Sequence, residues 1–250
     1  MMILDTFFCI FMLFAGTQAG PGLLIPLYTY PSDSTWESLK SAASSNPLIE
    51  FVAIVNPNSG PGGYLDSTFV TGIAGLTQVG VRCIGYVSTN YGATSVEAVI
   101  ANMEKYTNWY PQVAGFFLDE MAYTEGKESY YASLTARAVS MGKPFTIGNP
   151  GTSTTQAYFD SVNNTVIYET SNLPQLSTLH LSFPNSGCSI IAYDVPAAEV
   201  NQSYIDNILQ YAHLIYITDD TLNNPYDSLP TYFNQLVDFI RISVSSKNSS

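Results

Sequence analysis

The stretch Gly115-Phe116-Phe117-Leu118-Asp119-Glu120-Met121 joins a continuous apolar run to two adjacent carboxylates. A strand that is buried on both faces, as in a parallel sheet, has this kind of unbroken hydrophobic sequence. Enzymes built on parallel barrels keep their reacting groups at the carboxyl ends of such strands. The stretch therefore predicts a buried strand that delivers Asp119 and Glu120 to a site. The alternative is structural, because Asp and Glu are also favoured where a turn opens a helix.

The same design returns 49 residues later in Asn164-Thr165-Val166-Ile167-Tyr168-Glu169-Thr170, a β-branched run closed by Glu169. Hydrolysis of a glycosidic bond requires two carboxylates, one to protonate the leaving oxygen and one to attack or stabilise the sugar cation. The second strand therefore favours the functional interpretation of the first.

Eight strand-like runs alternate with eight stretches that are compatible with helix. The predicted strands are 23–30, 50–57, 82–89, 115–121, 144–150, 164–170, 189–195 and 214–219. The predicted helices are 34–45, 66–79, 95–109, 125–141, 154–160, 172–179, 197–211 and 229–244. No dinucleotide-binding fingerprint follows the first strand. We therefore predict an α/β fold, a single-domain (β/α)8 TIM barrel, rather than an open doubly wound sheet.

The first nineteen residues have a composition of their own. A largely apolar run over 3–16 is followed by Thr17-Gln18-Ala19, which predicts a secretory signal peptide, 1–19, cleaved after Ala19. The run is too short to span a membrane, and the alternative is a buried amino-terminal helix. The barrel would then occupy 20–244 and a polar tail 245–250. We expect a secreted protein, extracellular or at the cell surface, with no membrane span.

The composition limits the possible partners. Hydrophobic residues make up 46% of the chain and charged residues 11%, which excludes a disordered protein. Acidic residues outnumber basic ones 20 to 8, for a net charge of -12, and this excludes nucleic acid as a natural partner. The acidity either maintains solubility or matches a neutral or cationic partner, such as a partly deacetylated amino-sugar polymer.

Cys83 and Cys188 remain once the signal peptide is removed. In an oxidising compartment they either form a bridge or lie buried as small apolar side chains. Together with His180 and His213 they do not have the spacing of a metal site. The chain also has no phosphate-binding loop and no nucleophile elbow. We therefore expect no metal and no cofactor, and we expect a monomer.

The carboxyl ends of the eight predicted strands would present acids, amides and phenols at one mouth. Such rims bind sugars through hydrogen bonds to hydroxyls and through aromatic faces. We predict catalytic roles for Asp119, Glu120 and Glu169. The predicted substrate-binding residues are Tyr28, Tyr30, Asn56, Tyr86, Asn149, Tyr168, Asp194 and Asp219. Packing is the alternative for each tyrosine, because the chain contains 18 of them.

The stretches 24–31, 54–62, 85–92, 115–120, 148–151 and 168–169 together resemble, in matching order, the spherulin-4-like family of secreted and cell-surface proteins. That family includes fungal glycoside hydrolases that act on galactosaminogalactan. The resemblance implies a barrel and an endo-acting α-1,4-N-acetylgalactosaminidase or a close relative, with the family's important acids at Asp119, Glu120 and Glu169. The alternative is a non-catalytic protein that binds polysaccharide or forms part of a cell surface or spore coat.

An α-linked galactosamine does not present its acetamido group on the face opposite the leaving group, so direct action by two carboxylates is favoured over substrate assistance. We assign Glu169 as general acid and Asp119 as nucleophile or cation stabiliser. Glu120 would orient the sugar or exchange roles with either acid. If these roles are correct, the nearest oxygens of Asp119 and Glu169 should lie about 5 to 10 Å apart.

Overall fold

A computed structural model of the chain describes residues 20–179 and 183–247. Eight parallel strands pair in sequence order, and the first also pairs with the last, so the sheet closes into a barrel. The strands are β1 Gly22–Leu27, β2 Glu50–Val55, β3 Arg82–Ser88, β4 Gly115–Asp119, β5 Phe145–Gly148, β6 Asn164–Ser171, β7 Cys188–Tyr193 and β8 Leu214–Ile217. The predicted (β/α)8 TIM barrel is confirmed. The predicted signal peptide lies outside the described residues.

The helices lie in the connections between strands and after the last strand. They are α1 Ser34–Ser45, α2 Ser67–Gln78, α3 Val96–Trp109, α4 Glu128–Ser140, α5 Gln156–Phe159, α6 Gln202–Ile208 and α7 Phe233–Lys247. Asp33 and Asp66 cap the first two, each with a carboxylate that accepts a backbone N–H two residues later. None of the helices formed by the described residues has the length and apolar character needed to cross a membrane.

The helix predicted over 172–179 is wrong. The chain there forms only a 3-10 turn at Leu176–Thr178. Asn172 lies at φ +68°, and its N–H bonds to the carbonyl of Tyr193, so the chain continues beside β7 instead of turning into a helix. Pro174 follows two residues later and lacks the N–H that a helix interior requires.

Two other predicted helices are shorter than expected. The prediction over 154–160 corresponds to α5, which has only four residues. The prediction over 197–211 divides into a 3-10 turn at Ala197–Glu199 and α6, because the side chain of Asn201 caps a new helix by accepting the N–H of Tyr204. Seven of the eight predicted strands also ran beyond the observed carboxyl ends, where the loops of the barrel mouth begin, whereas β6 extends one residue past its predicted end.

The apolar run that ends in Asp119 forms β4, with Phe116, Phe117 and Leu118 all buried. Its first residue must be small, because a Cβ at Gly115 would lie 1.6 Å from the carbonyl oxygen of Phe145 on β5. The buried run fixes β4 between β3 and β5. The position of Asp119 at the barrel mouth therefore follows from the packing of the strand before it.

Cys83 and Cys188 are both buried, and neither forms a disulfide. Of the two interpretations of these residues, burial as small apolar side chains is the one observed. Burial raises the pKa of the Cys83 thiol to about 12 and that of Cys188 to about 11, so both remain protonated at neutral pH.

Candidate active site

Asp119, the last residue of β4, receives two hydrogen bonds from neighbouring strands. The phenol of Tyr86 on β3 donates to Oδ2 across 2.7 Å, and Nδ2 of Asn149 donates to Oδ1 across 2.7 Å. Asn149 directly follows β5, and its own N–H bonds to the carbonyl of Leu118. Strand order β3-β4-β5 therefore holds the carboxylate between two donors.

Glu169, near the carboxyl end of β6, is held in the same way. Nδ2 of Asn149 donates to its Oε2 across 2.5 Å, and the phenol of Tyr226 donates to its Oε1 across 2.5 Å. The side-chain oxygen of Asn149 accepts the N–H of Gly151 across 3.0 Å, which fixes the orientation of the amide. One amide group thus bridges the two predicted catalytic acids.

This bridge fixes the separation of the acids. Bonds of 2.7 and 2.5 Å to one nitrogen leave the two carboxylate oxygens at most about 5.2 Å apart, the two lengths laid end to end. The two bridged oxygens therefore lie no farther apart than the lower end of the range of about 5 to 10 Å that we expected. None of the ion pairs formed by the described residues involves Asp119 or Glu169, and both side chains retain some exposure.

Burial raises the pKa of both carboxyl groups above their ordinary values. For Asp119 the hydrogen bonds from Tyr86 and Asn149 oppose the effect of burial, and the charge of Glu120 adds to it. For Glu169 the hydrogen bonds from Tyr226 and Asn149 oppose the effect of burial on the pKa, and the charge of Asp119 raises the pKa further. Paired carboxyls with raised pKa values in a partly water-excluded position are typical of acid–base sites.

Glu120 lies beside this pair but outside its hydrogen-bond network. Its side chain accepts the hydroxyl of Ser88 across 2.5 Å. Since Tyr86 and Ser88 are two residues apart on β3, they point to the same face of the sheet, and their hydrogen bonds bring the carboxylates of Asp119 and Glu120 to that face. Glu120 has φ +51°, a left-handed conformation that is uncommon for a non-glycine residue and that clusters at functional sites.

Three tyrosine rings lie next to the two acids. The ring of Tyr28, just after β1, meets those of Tyr86 and Tyr226 edge to face, with centroids 5.8 and 5.6 Å apart. Burial raises the pKa of Tyr28 well above its ordinary value, and the charges of Asp119 and Glu169 add to the effect. The site therefore combines apolar ring surface with carboxylates and an amide, as sugar-binding sites do.

The structure therefore brings Tyr28, Tyr86 and Asn149 together with Asp119 and Glu169. Two other predicted substrate-binding residues lie on the first two loops of the mouth. Tyr30 is half exposed, and its phenol donates to Asp66 across 3.0 Å. The side-chain oxygen of Asn56 accepts the N–H of Gly60 across 2.8 Å and so shapes the glycine-rich loop that follows β2.

Tyr168, Asp194 and Asp219 do not join the network of the acids. The phenol of Tyr168 donates to the carbonyl of Asn172 across 3.1 Å. Asp194 is exposed after β7, and Asp219 accepts the N–H and the hydroxyl of Thr231.

Tyr226 is a site residue that we did not predict from the sequence. It lies in the connection between β8 and α7, where neither apolar periodicity nor a motif distinguishes it. The signal that could have found it is the length of this connection, since long loops at the carboxyl end of a barrel often carry functional residues. Among residues 20–179 and 183–247, no group of three or more His, Cys, Asp and Glu side chains is placed to hold a metal ion.

The fold and the site define a (β/α)8 barrel protein with a bridged pair of carboxylates at the carboxyl ends of its strands. The chain belongs to the family described as spherulation-specific family 4, whose model matches residues 22–240.

Two known proteins are similar to this chain, one in sequence and the other in fold. Spherulin-4 of Physarum polycephalum is 40% identical over 149 residues, which are 59% of this chain and 44% of that protein. The chain therefore aligns with less than half the length of this relative. The crystal structure of Aspergillus clavatus Sph3 in complex with GalNAc superposes with a TM-score of 0.81 at 24% identity, over 89% of this chain and 98% of that one.

Proposed function

We propose that the protein is a glycoside hydrolase that cleaves galactosamine-containing polysaccharide, as an endo-α-1,4-N-acetylgalactosaminidase or a close relative. The observation that carries the proposal is the amide of Asn149, which holds oxygens of Asp119 and Glu169 within about 5.2 Å of each other, close enough for both acids to act on one glycosidic bond. GalNAc is the sugar in the Sph3 complex. We propose a galactosamine-containing substrate for this chain because of this structural match and because of its family membership.

The separation of the acids favours retention of configuration at the anomeric carbon. Retaining enzymes hold their carboxyl groups about 5 to 5.5 Å apart, whereas inverting enzymes leave roughly 6.5 to 9.5 Å for a water molecule. An upper limit of about 5.2 Å between the bridged oxygens of Asp119 and Glu169 leaves no such room. We therefore assign a double-displacement reaction.

In the first step a carboxylate oxygen of Asp119 attacks the anomeric carbon while Glu169 gives its proton to the leaving glycosidic oxygen. In the second step Glu169 takes a proton from water, the resulting hydroxide attacks the anomeric carbon, and the bond to Asp119 breaks. A general acid must keep its proton until the leaving oxygen takes it, and both burial and the charge of Asp119 raise the pKa of Glu169 in this direction.

Glu120 would bind the sugar next to the reacting bond. Its carboxylate bonds to Ser88, on the same face of β3 as the Tyr86 that bonds to Asp119, and it lies outside the bridge, where it can accept hydroxyl protons of the substrate. Tyr28 would offer its ring to the apolar face of the sugar.

The test is incubation of the protein with partly deacetylated galactosaminogalactan, with products identified by mass spectrometry and the new anomeric centre followed by NMR. We expect oligosaccharides whose new reducing ends have the α configuration. Glu169→Gln and Asp119→Asn should abolish cleavage and change the free energy of unfolding by less than about 1 kcal/mol, since residues at the barrel mouth seldom stabilise the core. Binding of the polymer without any cleavage by the wild-type protein would instead identify a non-catalytic polysaccharide-binding or coat protein.

We propose also that the protein acts outside the cell. The support is the apolar run over 3–16 and the small residues that follow it, which are typical of a cleaved signal peptide. Amino-terminal sequencing of protein from the culture medium should give Gly20 as the first residue. Recovery of Met1 on extracellular protein would contradict cleavage after Ala19, and recovery of the protein only inside the cell would contradict the proposal.

A further inference from the structure

Exposed aromatic side chains are concentrated at one half of the barrel mouth. In the described part of the chain, four aromatic residues are strongly exposed, and all of them are tyrosines: Tyr30, Tyr64, Tyr91 and Tyr123. Each lies on the loop that follows one of the first four strands, at the same end of the barrel as Asp119. Exposed apolar surface that is contiguous, as distinct from singly scattered side chains, marks binding sites, so the rings that matter are those that lie together.

Two of these tyrosines share a depression. Tyr91 and Tyr123 line a cavity of about 440 Å³ together with residues 122 and 124–127. The cavity begins two residues beyond Glu120, and the N–H of Tyr91 bonds to the carbonyl of Glu120 across 2.7 Å. The depression therefore lies beside the segment that carries Asp119 and Glu120, and its volume falls in the range of small-molecule sites.

The walls of the depression are held in place by hydrogen bonds between its two loops. Lys127 donates from Nζ to the carbonyl of Gly92 across 2.9 Å, which ties the loop after β4 to the loop after β3. The phenol of Tyr158 donates to the carbonyl of Thr124 across 2.6 Å and accepts the N–H of Lys127 across 3.0 Å. The two exposed rings thus stand on fixed backbone, which lowers the entropy lost when a ligand binds.

The conformation of Tyr91 is a further sign of a binding role. Tyr91 has φ +53°, a region that bulky side chains rarely adopt, and yet about half of its side chain faces solvent. Packing of the ring in the core does not account for this backbone. Strained backbone of this kind clusters at active sites, ligand clamps and switch regions.

We propose that this depression is a second sugar-binding subsite, which takes a unit of the polysaccharide next to the unit held by Asp119 and Glu169. The rings of Tyr91 and Tyr123 would contact the apolar faces of the sugar, and the exposed carboxylate of Glu125 would accept its hydroxyl or ammonium protons. The inference rests on the proposed function and extends it, because the enzyme would then select long chains over short ones.

The test compares three variants. Tyr91→Asn removes a ring and keeps a residue that tolerates positive φ, and Tyr123→Ala removes the other ring. Leu48→Ala is the matched control, since Leu48 is an exposed apolar residue in the connection from α1 to β2, at the opposite end of the barrel. Each change is made in the Glu169→Gln background, and binding of N-acetylgalactosamine oligosaccharides of increasing length is measured by calorimetry.

Each ring deletion should weaken binding of long oligosaccharides roughly threefold to tenfold relative to the control and change binding of the monosaccharide by less than about twofold. Tyr91→Phe and Tyr123→Phe, which keep the rings, should restore most of the affinity. If the wild-type protein cleaves the polymer and the ring deletions bind long oligosaccharides as tightly as Leu48→Ala does, the subsite is overturned and the proposed function stands. If the Glu169→Gln parent binds no oligosaccharide and the wild-type protein cleaves none, both are overturned.

Discussion

Tyr226 donates a hydrogen bond of 2.5 Å to Oε1 of Glu169, and so links the loop between β8 and α7 to the end of β6. The carbonyl of Tyr226 also accepts the N–H of Tyr28, which fixes the same loop to the end of β1. Burial raises the pKa of Tyr226, and the charge of Glu169 raises it further, so the phenol keeps its proton over the whole range in which an enzyme works. Tyr226 is therefore a permanent donor to the predicted general acid.

Tyr226→Phe should move the pH profile of hydrolysis. The bond from Tyr226 stabilises the carboxylate form of Glu169, and its loss should raise the pKa of Glu169 further. A general acid is active while protonated, so the basic limb of kcat/KM should shift to higher pH. A pH series of kcat/KM on the polymer measures the shift. A move of the basic limb to lower pH would contradict the role of Glu169 as the acid.

Asn149→Ala should reduce kcat by about 100-fold or more, since one preorganised donor in an active site is typically responsible for a factor of this size. The change removes the only donor shared by Asp119 and Glu169 in the described network. Asn149→Asp is the sharper variant, because it replaces the donor with a third carboxyl group at the same point. The free energy of unfolding should be measured for both, and full activity in Asn149→Asp would show that the bridge has no part in catalysis.

Much of this site could be predicted from the sequence, because the ends of strands are visible in it. Asp119 and Glu169 close continuous apolar runs, and a parallel barrel brings the ends of such runs to one mouth. Which side chains form hydrogen bonds with these acids depends on the direction of each side chain and on the paths of the loops. The periodicity of the sequence encodes neither. Tyr168 follows a register shift between Val166 and Tyr168 in the pairing of β6 with β7, and its phenol bonds beyond the end of its own strand. Tyr226 reaches the site through a loop without a repeating pattern.

Glu50→Gln should make the protein less sensitive to acid. Burial raises the pKa of Glu50, but the hydrogen bond with His213 and the charges of Arg82 and His213 outweigh it, and the pKa is lowered overall. A group whose pKa is lowered by folding contributes stability above its unfolded pKa and loses it as the pH falls through the folded value. The contacts, both 3.1 Å, lie at the amino end of the barrel, far from the acids at its mouth.

At neutral pH Glu50→Gln should lower the free energy of unfolding by about 1 to 2 kcal/mol, between the values for exposed and buried ion pairs. The difference from the wild-type protein should shrink below about pH 4.5, the ordinary pKa of the group. Urea unfolding across a pH series measures both quantities. Glu104→Gln is the control, because its pair with Arg137 is exposed on both sides and should contribute less than about 0.5 kcal/mol. If the stability difference between Glu50→Gln and the wild-type protein is the same at every pH, the lowered pKa of Glu50 does not contribute to the acid sensitivity of the protein.

Tyr91→Asn should stabilise the protein even though it removes a proposed sugar-binding ring. The left-handed conformation at φ +53° costs a bulky residue about 1 to 2 kcal/mol, and Asn adopts it with less strain. The N–H of position 91 still bonds to the carbonyl of Glu120, so the loop keeps its path. We expect the free energy of unfolding to rise by about 0.5 to 1 kcal/mol, measured from the urea midpoint. Tyr64→Asn, at a more exposed position outside the left-handed region, should change it by less than about 0.5 kcal/mol. A loss of stability in Tyr91→Asn would mean that packing of the ring, and not presentation to a ligand, maintains this conformation.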